Sequence, residues 1–282
     1  MLRRLALAAV LAALVAPAPA IAGALERHAP IVVHAGGEPD LLTSVRTFAG
    51  RVPGVEPGRP RPVVYGRRAG RWLQYWMLFE YDSQDRGLLR TGRHEGDWEM
   101  IQLRLRRGRP VQAVYAQHPG AESCGFRWAA RGGERPVVQL ARGSHAAYFR
   151  AGLRDRTWPD PNDEADGEGP RMRPPVVRID GSRPPWMRYR GRWGDTVAGW
   201  VPGEMSSPRG PPFQPQGRWS NPEGWAAAAR PCTREDCDRR GECDGRETAL
   251  AAVLAVLGFV AALILGLRRM RRVVAAPANG GQ

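Results

Sequence analysis

Trp72-Leu73-Gln74-Tyr75-Trp76-Met77-Leu78-Phe79-Glu80-Tyr81 is apolar or aromatic at nearly every position. A run of that length without polar alternation reads as a β-strand covered on both faces. Downstream, Trp98 to Arg106 alternates and reads as a half-buried strand. Ile31–His34, Val111–Gln117 and Val137–Ala141 are further short strand candidates, and Gly or Pro punctuates every gap between them. Helical periodicity longer than two turns is confined to the C-terminal apolar stretch. The expected fold is therefore mainly β: an antiparallel β-sandwich ectodomain plus one C-terminal transmembrane helix. Asp160–Gly169 reads as an acidic loop. Pro202–Pro222 is rich in Pro and Gly, but Phe213, Trp219 and Trp225 imply that it packs on the domain.

Two stretches stand apart from that core. At the N-terminus, Arg3 and Arg4 precede the apolar run Leu5–Val15, and small-residue cleavage patterns follow at Ala18-Pro19-Ala20 and Ala20-Ile21-Ala22. This is the three-part pattern of a secretory signal, with an uncleaved N-terminal anchor as the alternative. Pro17 and Pro19, which end the apolar run, favour cleavage. Near the other end, Thr248–Leu267 is uninterrupted and uncharged. At about 1.5 Å per residue, a helix of about 20 residues reaches across a bilayer core of about 30 Å. Arg268, Arg269, Arg271 and Arg272 follow at once, which places that side in the cytoplasm. The expected layout is a signal peptide at 1–22, an ectodomain at 25–225, a Cys-containing juxtamembrane segment at 226–247, a membrane helix at 248–267 and a cytoplasmic tail at 268–282. This is a single-pass type I topology in the cell membrane, with the ectodomain extracytoplasmic.

The chain of 282 residues carries a formal charge of +14, and all 42 of its basic residues are Arg. Those arginines are scattered rather than clustered with aromatics, which argues against a nucleic-acid partner and leaves an anionic lipid or envelope polymer open. The four cysteines, Cys124, Cys232, Cys237 and Cys243, form an even set. Outside the cytoplasm that favours two disulfides, one tying the juxtamembrane segment to the domain at Cys124. Their spacing matches no common CxxC zinc pattern.

The densest polar cluster is Gly92-Arg93-His94-Glu95-Gly96-Asp97-Trp98-Glu99. With a two-residue period, Asp97 and Glu99 share a face with Ile101, Leu103 and Leu105. Two carboxylates turned toward a core demand a counter-charge. A hard cation such as Ca2+ or Mg2+ suits them, with His94 adding a nitrogen ligand and Asp82 or Asp85 completing the set. Pairing with Arg and backbone N–H groups is the structural alternative. Ala141-Arg142-Gly143-Ser144-His145 places a Ser beside a His, but neighbours on a strand point to opposite faces, so His145 is a poor base for Ser144. His118, Ser144, Asp163 and Asp166 are further polar candidates for a cleft, each readable as an ordinary loop residue.

These pieces occur in a recognisable order. Ala29-Pro30-Ile31-Val32-Val33-His34 comes first, then Trp72–Trp76, His94–Glu99 and Ala141–Tyr148. Asp166-Gly167-Glu168-Gly169 and Gly191-Arg192-Trp193-Gly194 close the series. The series resembles the vacuolar protein sorting-associated protein 62 family over about residues 28–225, a family that brings no established biochemical activity. More distantly, the chain is similar to the necrosis- and ethylene-inducing peptide-like proteins. These are secreted β-sandwich cytolysins with a Gly-His-Arg-His-Asp-Trp-Glu signature, whose cation site uses carboxylates and a His. Asp97 and Glu99 match its acidic pair and His94 its earlier His, while Glu95-Gly96 departs from it. That likeness implies a sandwich and a cation.

Three functions follow. One is a cell-surface binding module with a divalent cation site, taking a glycan, a lipid head group or another envelope component. The second is a metal-dependent hydrolase with Glu95 or His145 as acid–base group. The third is a membrane-perturbing, cytolysin-like module.

Overall fold

The computed structural model describes residues 19–84, 92–154, 156, 160–195, 207–232, 254 and 256–265. The strands are Ile31–Val33 (β1), Val64–Ala69 (β2), Trp72–Asp82 (β3), His94–Arg106 (β4), Arg109–Gln117 (β5), Gly120–Gly125 (β6) and Arg131–Gly132 (β7). Arg135–Leu140 (β8), Ala147–Tyr148 (β9), Gly152–Arg154 (β10), Asp163–Ala165 (β11), Arg171–Met172 (β12), Val176–Arg178 (β13) and Arg230–Pro231 (β14) complete them. Two short helices, Pro19–Arg27 (α1) and Pro222–Ala228 (α2), flank the strands.

The aromatic run becomes the middle of a seven-stranded sheet ordered β13-β2-β3-β4-β5-β6-β14. Its side chains alternate between two cores, as a strand buried on both faces must. Leu73, Tyr75, Met77 and Phe79 join Ile101, Leu103 and Tyr115, packing against Val32 of β1, Val138 and Leu140 of β8 and Ala147 of β9. Those last strands belong to the smaller sheet, β12-β1-β8-β7 with β9 beside β8. Trp76, Leu78, Trp98 and Met100 occupy the other face with Phe48, Trp186, Trp193 and Trp225. That second core is covered by irregular chain and short 3-10 turns at Val45–Phe48 and Pro185–Arg188.

The expectation of an antiparallel sandwich is corrected to mixed sheets. β2 to β6 are antiparallel neighbours, but β13 pairs β2, β14 pairs β6 and β1 pairs β8 in parallel. A parallel pair needs a long crossover, so its partner lies far away in sequence and leaves no local trace. β4 is likewise buried on both faces rather than half-buried, because Trp98, Met100 and Gln102 are covered by the irregular layer. The acidic stretch expected as a loop holds β11, paired with β10.

The ends also differ from expectation. Among the described residues no helix is long and apolar enough to cross a membrane. Leu254 and residues 256–265 are helical, while the rest of 248–267 and the Arg cluster after it lie outside the described residues. Most of the expected signal, 1–18, also lies outside them. Helix α1 spans the expected cleavage positions, and Ala24 and Leu25 are already buried in the core. One disulfide joins Cys124 to Cys232, with the Cα atoms 5.2 Å apart. Cys237 and Cys243 are outside the described residues, as is Asp85.

Candidate metal centre

Antiparallel register brings the end of β3 beside the start of β4, with Asp82 opposite His94 and Phe79 opposite Asp97. In a regular strand His94 and Asp97, an odd number of residues apart, would face opposite ways. Gly96 breaks the alternation with φ +64, a conformation that costs glycine little. A Cβ there would fall 1.9 Å from the carbonyl oxygen of Trp193. With the kink, Asp82, His94 and Asp97 each place a ligand atom within 4.8 Å of the others.

The hydrogen bonds define what those atoms offer. His94 Nδ1 lies 3.1 Å from the Gly96 carbonyl, an acceptor, so Nδ1 carries the proton. Its Nε2 lies 3.4 Å from Oδ2 of Asp82. An imidazole nitrogen facing a carboxylate oxygen at that distance shares a proton or a cation with it. Asp82 Oδ1 accepts from the Gln84 N–H at 2.8 Å. Glu99, two residues beyond Asp97, is buried, and its Oε2 has no hydrogen-bond partner. Burial, reinforced by the Asp97 charge, pushes both Asp82 and Glu99 well above the ordinary carboxylate range. These groups fit a hard divalent cation: oxygen donors, one imidazole nitrogen and excess negative charge.

The counter-charge that Asp97 needs is His145. Its imidazole is fully buried and stacks on Phe79, 3.8 Å between centroids and 2° between planes. Nδ1–H donates to Asp97 Oδ2 at 2.9 Å, and Nε2–H donates to the Asp40 carbonyl at 3.0 Å with Glu38 3.5 Å away. Burial opposes its charge, but the bonds to Asp97 and Glu38 win and lift its pKa to about 10. His145 is thus a fixed imidazolium rather than an acid–base group. His34 beside it is driven the other way, to about 4, by burial and by the His145 charge. Neither Glu38, Asp40 nor His34 stands out in the sequence as a site residue. Only proximity in the fold reveals them.

Ser144 turns away from His145. Its hydroxyl donates to Asp163 Oδ1 at 2.8 Å. Asp163, with no exposed surface, also accepts from Gln84 Nε2 at 2.8 Å, His118 Nε2 at 2.6 Å and the Tyr148 hydroxyl at 2.5 Å. Burial works against its charge, yet these donors hold its pKa down to about 2. The arrangement is an acid-centred knot, not a nucleophile with its base. Glu95 sits elsewhere: the Gly96 kink swings it away from Asp97, and Arg51 grips it through both oxygens while the Asp195 N–H donates to it at 2.8 Å. Arg51 keeps its carboxyl below the ordinary range. Asp166 braces a turn, accepting from the Gly36 and Glu168 N–H groups at 2.8 and 2.9 Å, and does not line the cleft.

Asp82, His94, Asp97 and Glu99 line a cleft of about 630 Å³, with Ser144 and His118 also on its wall. Arg192, Arg209 and Phe213 contribute to it, as does Arg218. Arg218 is buried with its Nε unpartnered, and its charge attracts Glu99 without forming an ion pair. Its guanidinium donates instead to the His118 carbonyl.

No family model matches the chain, and no curated protein matches it. The solved structures to which it is similar are toxin-fold proteins of the necrosis- and ethylene-inducing peptide-like kind, at low TM-score and identity. One, described as "NLPPya in complex with mannosamine", gives a TM-score of 0.34 at 13% identity, covering 57% of this chain and 74% of that one. Another, "Toxin fold for microbial attack and plant defense", gives 0.34 at 14% identity over 58% and 75%. A non-toxic HaNLP3 protein gives 0.32 at 13% identity over 58% and 76%. The vacuolar protein sorting-associated protein 62 resemblance is not shown by these comparisons.

Proposed function

We propose that this chain is a cation-dependent binding module, in which Asp82, His94, Asp97 and Glu99 hold a divalent cation at the floor of the cleft. The cation in turn offers open positions to a hydroxyl-rich ligand such as a glycan or a lipid head group. The observation that carries the reading is that Asp82, His94 and Asp97 bring ligand atoms within 4.8 Å of one another, with the unpartnered Oε2 of buried Glu99 two residues beyond Asp97. Mg2+ and Ca2+ suit such oxygen-rich sites and commonly retain exchangeable waters that a ligand can replace.

Hydrolysis is the weaker reading because both acid–base candidates are committed. Glu95 is tied to Arg51 on the other side of the strand, and His145 is sealed between two carboxylates. A membrane-perturbing module calls for exposed apolar loops at the cleft. Among the described residues the large exposed apolar side chains are Val111 and those between 254 and 265, none of which lines it.

The same proposal places the domain outside the cytoplasm, with 1–22 as a signal and 248–267 as a membrane anchor. The disulfide between Cys124 and Cys232 supports an oxidising compartment. The His94–Glu99 and Arg142–His145 motifs support assignment to the vacuolar protein sorting-associated protein 62 family.

The test is thermal melting of the full-length chain in mild detergent, stripped of metal, with Mg2+ or Ca2+ against chelator. Ligand at a hundred times its dissociation constant adds about 2.7 kcal/mol, roughly a 5–10 °C rise for a domain of this size. Asp82→Asn with Asp97→Asn removes the rise. Identical melting with cation and with chelator would sink the reading.

A further inference from the structure

We propose that the end of the seven-stranded sheet opposite the cleft is a docking face for an anionic lipid surface. The inference rests on the proposed membrane placement and is independent of the cation reading. β4 runs from His94 at the cleft to Arg106, so its 13 residues place the two ends about 40 Å apart. The turns at the far end follow from the register: Trp72 lies opposite Arg104, and Gln112 opposite Gly125. Gathered there are Arg68 and Arg71 around the β2–β3 turn, Arg106, Arg107 and Arg109 on the β4–β5 hairpin, and Arg127 just after β6. All six are exposed.

These guanidiniums are barely offset. Glu223 lies 3.4 Å from Arg71 and 3.8 Å from Arg104. Arg106, Arg107 and Arg109 have no acidic partner among the described residues. At the cleft end Asp97, Glu99 and Asp163 are buried and Asp82 is half-buried. The far end thus presents guanidiniums of one sign to solvent, whereas the cleft end mixes acids with Arg192, Arg209 and Arg218.

Where the chain leaves the domain identifies the partner. β14 runs parallel to β6, with Arg230 beside Glu122 and Pro231 beside Ser123. Cys232 donates its N–H to the Ser123 carbonyl at 2.8 Å and is locked to Cys124. β6 runs from the cleft end toward Gly125, so the chain exits toward the arginines. The apolar run begins at Thr248. Sixteen residues on, it lies at most about 55 Å from that exit. The chain leaves the domain on the arginine side, and an anionic lipid surface complements those guanidiniums in charge. Docking this way turns the cleft away from the bilayer.

The experiment uses the full-length chain in nanodiscs of phosphatidylcholine alone or with phosphatidylglycerol, read by amide hydrogen exchange. The expected result is slower exchange at the 69–71 and 106–109 turns in phosphatidylglycerol discs only, reversed by 0.5 M NaCl through screening. Exchange at 94–97 stays unchanged. In Arg106→Gln/Arg107→Asn/Arg109→Gln the docking equilibrium constant should fall on the order of a hundredfold, since each basic residue at such a surface contributes roughly fivefold. Arg107 becomes Asn because its φ is +50, a conformation Asn tolerates. Equal exchange in both discs with the chain inserted would overturn the docking face alone. Failure to enter either disc would overturn the membrane placement and the docking face with it. Equal protection by a soluble polyanion in neutral discs would show a general polyanion site and overturn the lipid assignment.

Discussion

Replacing Asp163 with Asn tests the knot that supports the cleft wall. Asp163 has no exposed surface and accepts four hydrogen bonds, two on each oxygen: Gln84 and Ser144 on Oδ1, His118 and Tyr148 on Oδ2. An asparagine replaces one oxygen with an NH2 group. Whichever way the amide sits, two donors then face a third. Ser144 and Tyr148 can rotate their hydroxyls, so the firm loss is one or two unsatisfied buried donors, at roughly 1–3 kcal/mol each. The pKa offers a second route. Its value falls from 3.8 to about 2, and at about 1.4 kcal/mol per unit this is about 2 kcal/mol in favour of the charged form. The two routes overlap at a cost of about 2 kcal/mol at pH 7.

The pH dependence has a definite sign. A depressed folded pKa contributes stability that is complete above 3.8 and is lost as pH falls through about 2. The gap between wild type and Asp163→Asn should therefore narrow as pH is lowered from 4 toward 2. Urea unfolding of the full-length chain in mild detergent, followed by tryptophan fluorescence, measures it. A penalty under about 1 kcal/mol at neutral pH, or one that does not shrink in acid, would refute the reasoning.

Two other substitutions probe separate supports. His145→Gln leaves Asp97 and Glu38 buried without their cation, and breaking a buried pair from one side costs about 3–5 kcal/mol. Adding Asp97→Asn should recover part of that in urea unfolding, whereas strictly additive costs would show that the two are not coupled. Cys232→Ser opens a cross-link spanning 108 residues and should lower the unfolding free energy by about 4 kcal/mol, with an unchanged urea midpoint counting against it.

The central strands were legible because burial on both faces writes itself into composition. Trp72–Tyr81 leaves few positions for polar residues, and β3 forms where that run lies. The inward turn of Asp97 and Glu99 was legible from alternation, and with it the need for a counter-charge. The identity of that charge was not, since His145 is 48 positions away on a left-handed turn residue at φ +53. Strict alternation would also place Glu95 beside Asp97, and a single glycine kink moves it to the opposite face. The second core was hidden for a different reason. Phe48, Trp186, Trp193 and Trp225 cover it from irregular chain, which has no period to detect.

Two buried acids of the same region show why one is structure and the other is poised. Asp163 is satisfied by four donors, and its charge is fully absorbed by the fold. Glu99 has an oxygen with no donor at all, and Arg218 stands near without reaching it. A fold that needed Glu99 only for packing would gain from an apolar residue of the same size, because an unmet buried acceptor is costly. Gln84 ties the two neighbourhoods together, its N–H on Asp82 and its side chain on Asp163. Through Gln84 the satisfied knot braces Asp82, the rigid support that the proposed cation site needs if its ligand atoms are to stay in place.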